Sequence, residues 1–535
     1  MATFLSKENS TFREDGHHIG KIYRSLPMKT VTKKPNRILL VYPEIPRNTF
    51  WSYSYALPFI NKKSAIAPLG LITLASLFPP QFELKLIDMN VATLKDKDLQ
   101  WADAVFISAM IVQRESFINV VERCKQYALI VVAGGPYPTS SWEEIKGVDH
   151  FILGEAEDIL TNFLQDLENG IAAVTYKAKN RPDLSDTPIP RFDLLNMNAY
   201  GSMSVQYSRG CPFKCEFCDI WKVYGNKPRL KSASNLITEL DALYALGWKG
   251  AVFLVDDNFI GNKHRLKKEL MLPLIAWQKE RKYPFRFFTE ASINLADDEV
   301  LLKYMQLSGF NEVFIGLETP CAQSLQETGK TQNLKSDIPV AVAKIQSYGI
   351  EVMGGFILGF DNDPDDIFIR MCTFIDELAI PTAMVGILIA LPGTQLYQRL
   401  EREGRIIENT SGNNTHCLET NFITRMDKTK LKKGYRKVLS TIYDNRLQSY
   451  FDRCNRLLDN IGEQPFFNRE VHWDEIKMGI KSLSRQPFTS YGYQYLKFIG
   501  HNLLKKNKNF AEAVRMGILG HHLHTITMQT LAIRD

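Results

Sequence analysis

After a polar stretch over residues 1–35, the chain turns apolar at Ile38, Leu39, Leu40 and Val41, a short run stopped by Pro43. A run of this length ended by proline reads as a buried strand. Comparable runs follow at residues 82–88, 104–108, 129–133 and 150–153, with helix-period patterns between them at 69–78 and 116–127. Strands alternating with helices predict a doubly wound parallel sheet over residues 36–170, with its ligand site beyond the carboxyl ends of the strands. Gly134, Gly135 and Pro136 follow one strand, and Gly154 and Glu155 follow another. A lone glycine pair is usually a turn, but two permissive turns on one edge favour close approach of a ligand.

Residues 171–203 hold Pro182, Pro188 and Pro190 among polar residues and read as an ordered linker. A second series of strands follows at 204–208, 251–255, 286–290, 312–318, 352–358 and 384–391, each succeeded by a helical stretch. The first of these helices sets Leu236, Ile237, Leu240, Leu243, Tyr244 and Leu246 on one face. Six strand-helix units predict a partial (βα)6 barrel over residues 204–410. Beyond it the strand signal fades, and residues 411–535 read as an α-rich region. The fold class is therefore α/β: a mobile leader (1–35), a Rossmann-like domain (36–170), a linker (171–203), a barrel (204–410) and a helical C-terminal domain (411–535).

Composition narrows the function more than the fold. The chain has 535 residues, 45% hydrophobic and 23% charged, which is ordinary for a globular protein of several domains. A formal charge of +6 makes no case for nucleic acid and is compatible with contact at an anionic membrane surface. No uninterrupted apolar run of spanning length is present. Eight cysteines are too sparse for a disulfide framework, and three crowd into eight residues, which points to a metal site in a reducing, cytoplasmic setting or peripherally at the inner membrane face.

Those three are Cys211, Cys215 and Cys218, in Cys211-Pro-Phe-Lys-Cys215-Glu-Phe-Cys218, directly after the first barrel strand. Their thiolates then project from the carboxyl end of the barrel, where such folds place chemistry. A structural zinc site wants four ligands, usually as two separated pairs. Cys124, Cys321, Cys372, Cys417 and Cys454 are isolated, so no second pair exists. Thiolate is the ligand of iron–sulfur clusters, and three of them leave one iron of a [4Fe–4S] cluster open to a small chelating molecule.

The spacing, with Phe217 before the last cysteine, resembles the radical S-adenosylmethionine (SAM) signature. That resemblance implies SAM contacts at Phe217, Asp256, Asp257, Glu290, Ser292 and Glu318, and an adenine-contacting segment at residues 355–359 that includes Ile357. A doubly wound domain before such a barrel is similar to the cobalamin-binding class of the superfamily, and implies corrin contacts at Ser108, Gln113, Gly134, Gly135, Pro136, Gly154 and Glu155. Ala67-Pro-Leu-Gly70 matches as well. The Asp-x-His-x-x-Gly pattern, whose histidine binds cobalt from below in many cobalamin proteins, occurs only as Asp15-Gly-His17-His-Ile-Gly20 in the polar leader, and none follows a strand of the doubly wound pattern. The resemblance then implies cobalt without a histidine lower ligand, and Gln113 near the lower face. Val255-Asp-Asp-Asn-Phe-Ile-Gly-Asn262, Thr289-Glu-Ala-Ser292 and Phe314-Ile-Gly-Leu-Glu-Thr319 extend the likeness to the bacterial hopanoid C-2 methylase group.

This resemblance implies reductive cleavage of SAM, hydrogen abstraction from an unactivated carbon of an apolar or lipid substrate, and methyl transfer from cobalamin. The electron donor would be of flavodoxin or ferredoxin type. Radical chemistry without methyl transfer, such as cyclisation or C–C coupling, and a non-catalytic cobalamin- or SAM-binding protein are the alternatives. Three other features have plainer readings. Lys428, Lys430, Lys432, Lys433, Arg436 and Lys437 alternate with apolar residues, as in a helix that packs one face and solvates the other, the alternative being a basic amphipathic helix resting on anionic lipid. His521, His522 and His524 lack a carboxylate or cysteine partner and read as helix surface. Tyr491, Tyr493 and Tyr495 read as core or interface.

Overall fold

The computed structural model describes residues 35–408, 410–461, 473–505 and 510–533. The expected leader, Pro35 aside, lies outside the described residues.

The first sheet contains β1 (Arg37–Tyr42), β2 (Glu83–Asp88), β3 (Ala104–Ser108), β4 (Ile130–Gly134), β5 (His150–Leu153) and β6 (Thr175–Lys177). All pairings are parallel and the order is β2-β1-β3-β4-β5-β6. In β1 the side chains alternate between two cores: Leu39 and Val41 enter one, Ile38 and Leu40 the other. A strand covered by helices on both faces must be apolar at every position, which explains its unbroken run. The chain leaves β1 toward β2 on one side and returns to β3 on the other, so a switch point opens between β1 and β3. β6 lies inside the segment 171–203 read as linker; it is short, polar and at the sheet edge, so periodicity does not betray it.

The second sheet takes β7 (Ser202–Val205), β10 (Gly250–Leu254), β11 (Phe285–Ala291), β12 (Phe310–Glu318), β13 (Glu351–Leu358) and β14 (Ala383–Ile387) in chain order, all parallel. Between β7 and β10 a small antiparallel ladder joins β8 (Ser208–Arg209) to β9 (Arg229–Leu230). β7 and β14 are the two edges, so the six strands form an open, partial barrel. Along β11 burial alternates, with Phe287 and Thr289 packed outward and Arg286, Phe288 and Glu290 on the lumen side. The helix Ala233–Ala245 is capped by Ser232, whose hydroxyl accepts from the Asn235 amide at 3.1 Å. It buries Leu236, Leu240 and Leu243, but Tyr244 and Leu246, expected on the same face, are exposed.

Helices Lys428–Ile442, Gln448–Ile461, Trp473–Arg485, Gly492–Leu504 and Phe510–Ala532 follow. The basic helix Lys428–Ile442 sinks Leu431, Tyr435, Val438, Leu439 and Ile442 into the barrel's core, and the Tyr435 hydroxyl donates to the Val385 carbonyl. Its Lys430 pairs with Asp365 and its Lys432 with Glu419. The histidine tract differs from its helix-surface reading. His522 is fully buried with Nε2 3.1 Å from the Phe50 carbonyl, and the ring of His521 meets the Tyr491 hydroxyl at 2.6 Å. Their helix is packed nearly all round, so burial pushes His522 down to about 4. Tyr491 and Tyr495 are core, whereas Tyr493 is exposed. Among the described residues no helix is long and apolar enough to cross a membrane.

Candidate active site

The carboxyl ends of the two sheets face each other across a cavity of about 770 Å³. The first domain contributes Ser108, Met110, Gly134, Gly135, Pro136, Gly154, Glu155 and the segment 67–70; the barrel contributes Gln206, Arg209, Phe253, Asp257 and Glu290. A loop after the barrel, residues 412–415, closes the remaining side, with Gly412 tight against Ile111. Gly135 is obligatory. Its φ is +87°, and a Cβ there would lie 2.5 Å from the Ser108 hydroxyl.

Six of the expected cofactor contacts do not line this cavity: Phe217, Ser292, Glu318 and Ile357 stand around the cysteine loop, and Gln113 and Asp256 are turned into the protein. Gln113 is fully buried; its amide donates to the Pro43 carbonyl at 2.6 Å and its oxygen accepts from the Met110 amide at 2.8 Å. The side chain thus braces the loops after β1 and β3, and Met110 faces the cavity instead. Asp256 is likewise fully buried, with one carboxylate oxygen accepting from the Tyr207 and Ser208 amides at 2.9 and 2.6 Å. It fixes the turn that leads into the cysteine loop. Its other oxygen is buried without a hydrogen-bond partner among the described residues. Glu155 does reach the cavity, but its carboxylate is committed to Arg209 at 2.7 Å and Arg229 at 2.6 Å, while Glu157 takes Arg209 as well. This ion-paired clasp joins the first domain to the strand that immediately precedes Gly210 and Cys211.

Around the cysteine loop the structure assembles a second layer. The side-chain amides of Asn258 and Gln332 lie 3.9 Å from the sulfurs of Cys211 and Cys215. Ser292 holds Asn258 at 3.2 Å. Phe217 packs toward Phe360 and Ile357. Glu318, left-handed at φ +65°, pairs with Lys330 at 2.5 Å. Sequence reading passed over Lys330, because a lysine in a Gly-Lys turn resembles any solvated loop residue. Here it is enclosed, and Glu318 together with Cys215 and Cys218 holds its charge well above the ordinary range despite burial.

The thiols suit a cluster. Burial raises the pKa of Cys211 and Cys218, so their thiolates need a compensating positive charge such as iron provides. Among the described residues no three His, Cys, Asp or Glu close around a single ion. A four-iron cube instead spaces its thiolates around itself. At the carboxylates of the strand ends burial outweighs the partners present, such as the Gly210 amide that donates to Asp257 at 3.0 Å. Burial lifts Asp257 to about 6 and Glu290 to about 8, the latter pushed further by Asp257 and Asp256. Such a ring of buried acids favours a cationic ligand.

A smaller, mostly apolar cavity of about 220 Å³ occupies the barrel lumen. It shares Trp51, Phe253 and Glu290 with the large one and is lined further by Phe288, Phe314 and Met353. Phe253 and Phe288 stack at 4.6 Å, and Trp51 lies 5.3 Å from Phe314. Arg515, from the helix Phe510–Ala532, forms part of its wall and pairs with Glu351 and Glu512.

A barrel with three spaced thiolates at its strand ends, set against a doubly wound sheet across a shared cavity, is the architecture of a two-cofactor radical enzyme. Comparison with known proteins agrees. The radical SAM superfamily profile matches residues 205–375, the B12 binding domain profile residues 59–164, and a domain of unknown function residues 394–534. An uncharacterized methyltransferase of Synechocystis sp. is 44% identical over 428 residues, 80% of this chain and 79% of that protein. The hopanoid C-2 methylase of Rhodopseudomonas palustris is 33% identical over 419 residues, 77% of this chain and 79% of that protein. The fold resembles that of the cobalamin-dependent SAM radical enzyme OxsB, solved with aqua-cobalamin and SAM, at a TM-score of 0.58 and 16% identity over 93% of this chain and 79% of that one. The chain belongs to the cobalamin-dependent radical SAM methyltransferase family, whose cofactors are a [4Fe–4S] cluster, SAM and cobalamin.

Proposed function

We propose that the enzyme methylates an unactivated carbon of an apolar substrate, with a hopanoid-like polycyclic lipid as first candidate. The observation that carries this reading is the aromatic lumen cavity, which has Trp51, Phe253 and Glu290 as wall in common with the cofactor cavity. At about 220 Å³ it is smaller than the roughly 300–1,000 Å³ of a pocket for a whole drug-sized ligand, so it takes one apolar end of the substrate. The hopanoid C-2 methylase relative supports the substrate class.

Cys211, Cys215 and Cys218 would hold the cluster, and Lys330, beside these thiolates, would take the carboxylate of SAM. Asp257 and Glu290 would meet its cationic and ribose groups from the cavity wall. Ser108, Gly134, Gly135, Pro136 and Gly154 would border the corrin. When bound, the cluster and SAM supply hydrogen abstraction and the corrin supplies the methyl group. The chain's own work is placement: Trp51, Phe253 and Phe288 fix the carbon and exclude water, and Glu290, whose pKa burial and Asp257 raise in the ligand-free protein, regains its charge as a cationic group arrives.

The test is anaerobic reconstitution with iron, sulfide, cobalamin, SAM, a reductant and a hopanoid. Deoxyadenosine and S-adenosylhomocysteine should form together with a methylated hopanoid. Deoxyadenosine without S-adenosylhomocysteine would overturn methyl transfer, and both products with no change in the hopanoid would overturn the substrate.

A further inference from the structure

Two C-terminal helices carry a surface that neither the barrel nor the cofactor cavity uses. Helix Trp473–Arg485 turns Met478 onto the lumen cavity and buries Ser482. On its opposite side Ile476, Ile480 and Leu483 are exposed, at the i, i+4, i+7 spacing of a single stripe. Helix Gly492–Leu504 buries Tyr495, Phe498 and Ile499 and exposes Tyr493, Leu496, Leu503 and Leu504. The turn between them, Gln486–Phe488, ends in Phe488, which is 87% exposed; Leu504 is 84% exposed. The Ser482 and Tyr495 hydroxyls meet at 2.7 Å and hold the two helices side by side, and both pack on the helix Phe510–Ala532. Ordinary surface helices set charge where these set aliphatic and aromatic side chains. Exposed large apolar residues scattered singly need no explanation, but a contiguous patch marks an interaction surface.

Charge identifies the occupant. Residues 476–511 contain seven Lys or Arg and no Asp or Glu, and Arg485, Lys497 and Lys505 are exposed beside the apolar side chains. Lys505 also pairs with Asp459 at 3.0 Å. A second copy docked through the same face would bring lysine against lysine, which a two-fold interface punishes. A bilayer with anionic headgroups satisfies both halves of the pattern: acyl chains for the apolar residues, phosphates for the lysines. The basic helix Lys428–Ile442 does not compete for this role, since its apolar face is buried in the barrel's core.

We propose that the face formed by helices Trp473–Arg485 and Gly492–Leu504 docks the enzyme on an anionic membrane surface, with Ile480, Phe488 and Leu504 inserted and Lys497 at the headgroups. The proposal stands apart from the substrate reading. The test is co-sedimentation of the full-length, cluster-loaded protein with vesicles of phosphatidylcholine alone or with phosphatidylglycerol added. Wild-type protein should sediment with the anionic vesicles, less so as salt rises. Phe488→Asp with Leu504→Asp should weaken partitioning by more than about tenfold at an unchanged melting temperature. Lys497→Glu, a surface exchange, should remove part of the salt-sensitive component. Absence of binding to anionic vesicles, or equal binding by wild type and variants, would overturn the proposal. So would a lipid-free dimer, seen by sedimentation velocity, that the same substitutions dissociate.

Discussion

At residue 135 the backbone is left-handed and a Cβ would press on the Ser108 hydroxyl, so two penalties fall on one substitution. With ψ at −176° the conformation is one that glycine alone adopts readily, and it costs another residue about 1–3 kcal/mol. Gly135→Ala should lower the melting temperature and weaken hydroxocobalamin binding, read by absorbance titration. Glu290 gives a pH signature of opposite origin. Its folded pKa, about 8, lies above the ordinary carboxylate value, so between roughly pH 4.5 and 8 the native state holds a proton that the unfolded chain has released. Its contribution to stability is present at low pH and is lost as pH rises through this window. Glu290→Gln should flatten that fall in the ligand-free protein and raise the melting temperature at pH 8.5; an unchanged pH profile would contradict it. Such residues were unevenly legible. The cysteines stood out because their spacing has no common structural use, and glycines after strands because few other residues tolerate the turn. Gln113 and Asp256 were read by position, but their side chains bond to backbone behind the cavity wall, and sequence position does not give side-chain direction. Lys330 was hidden because only the fold brings it to the thiolates.

Among the elements, strands buried on both faces announced themselves as unbroken apolar runs, and the six barrel strands fell within a few residues of their expected places. The edge strand β6 did not, since one buried face and three residues leave no pattern. The helix Phe510–Ala532 was misjudged at its histidines because it is enclosed nearly all round, where amphipathic periodicity is lost. This helix also acts on the barrel. Arg515 enters between the first residues of two strands and pairs with Glu351, with Glu312 at 3.5 Å. Breaking a buried pair costs about 3–5 kcal/mol, because the stranded carboxylates remain. Arg515→Met should therefore lower the unfolding free energy, read from urea denaturation, by that order, and adding Glu351→Gln should return part of it. Two independent, additive losses would argue against the pairing.

On the scale of the whole molecule, the doubly wound and barrel halves were both legible, whereas their mutual placement was not, because the contacts joining them are side-chain pairs between segments far apart in sequence. The clasp of Arg209 and Arg229 on Glu155 and Glu157 is the clearest of these. Glu155→Gln with Glu157→Gln should leave Arg209 unpaired and the cysteine loop less well held. Fewer iron atoms per chain after reconstitution, by metal analysis, is the expected result. The clasp also has a bearing on biogenesis. Its acids belong to the half of the chain synthesised first, and domains tend to fold as they emerge. By the time Cys211 leaves the ribosome, the acids that Arg209 and Arg229 will grip already belong to a folded domain. Maturation thus acquires an order, in which the source of a destructive radical ripens only in a chain whose methyl-carrying half stands ready to receive it.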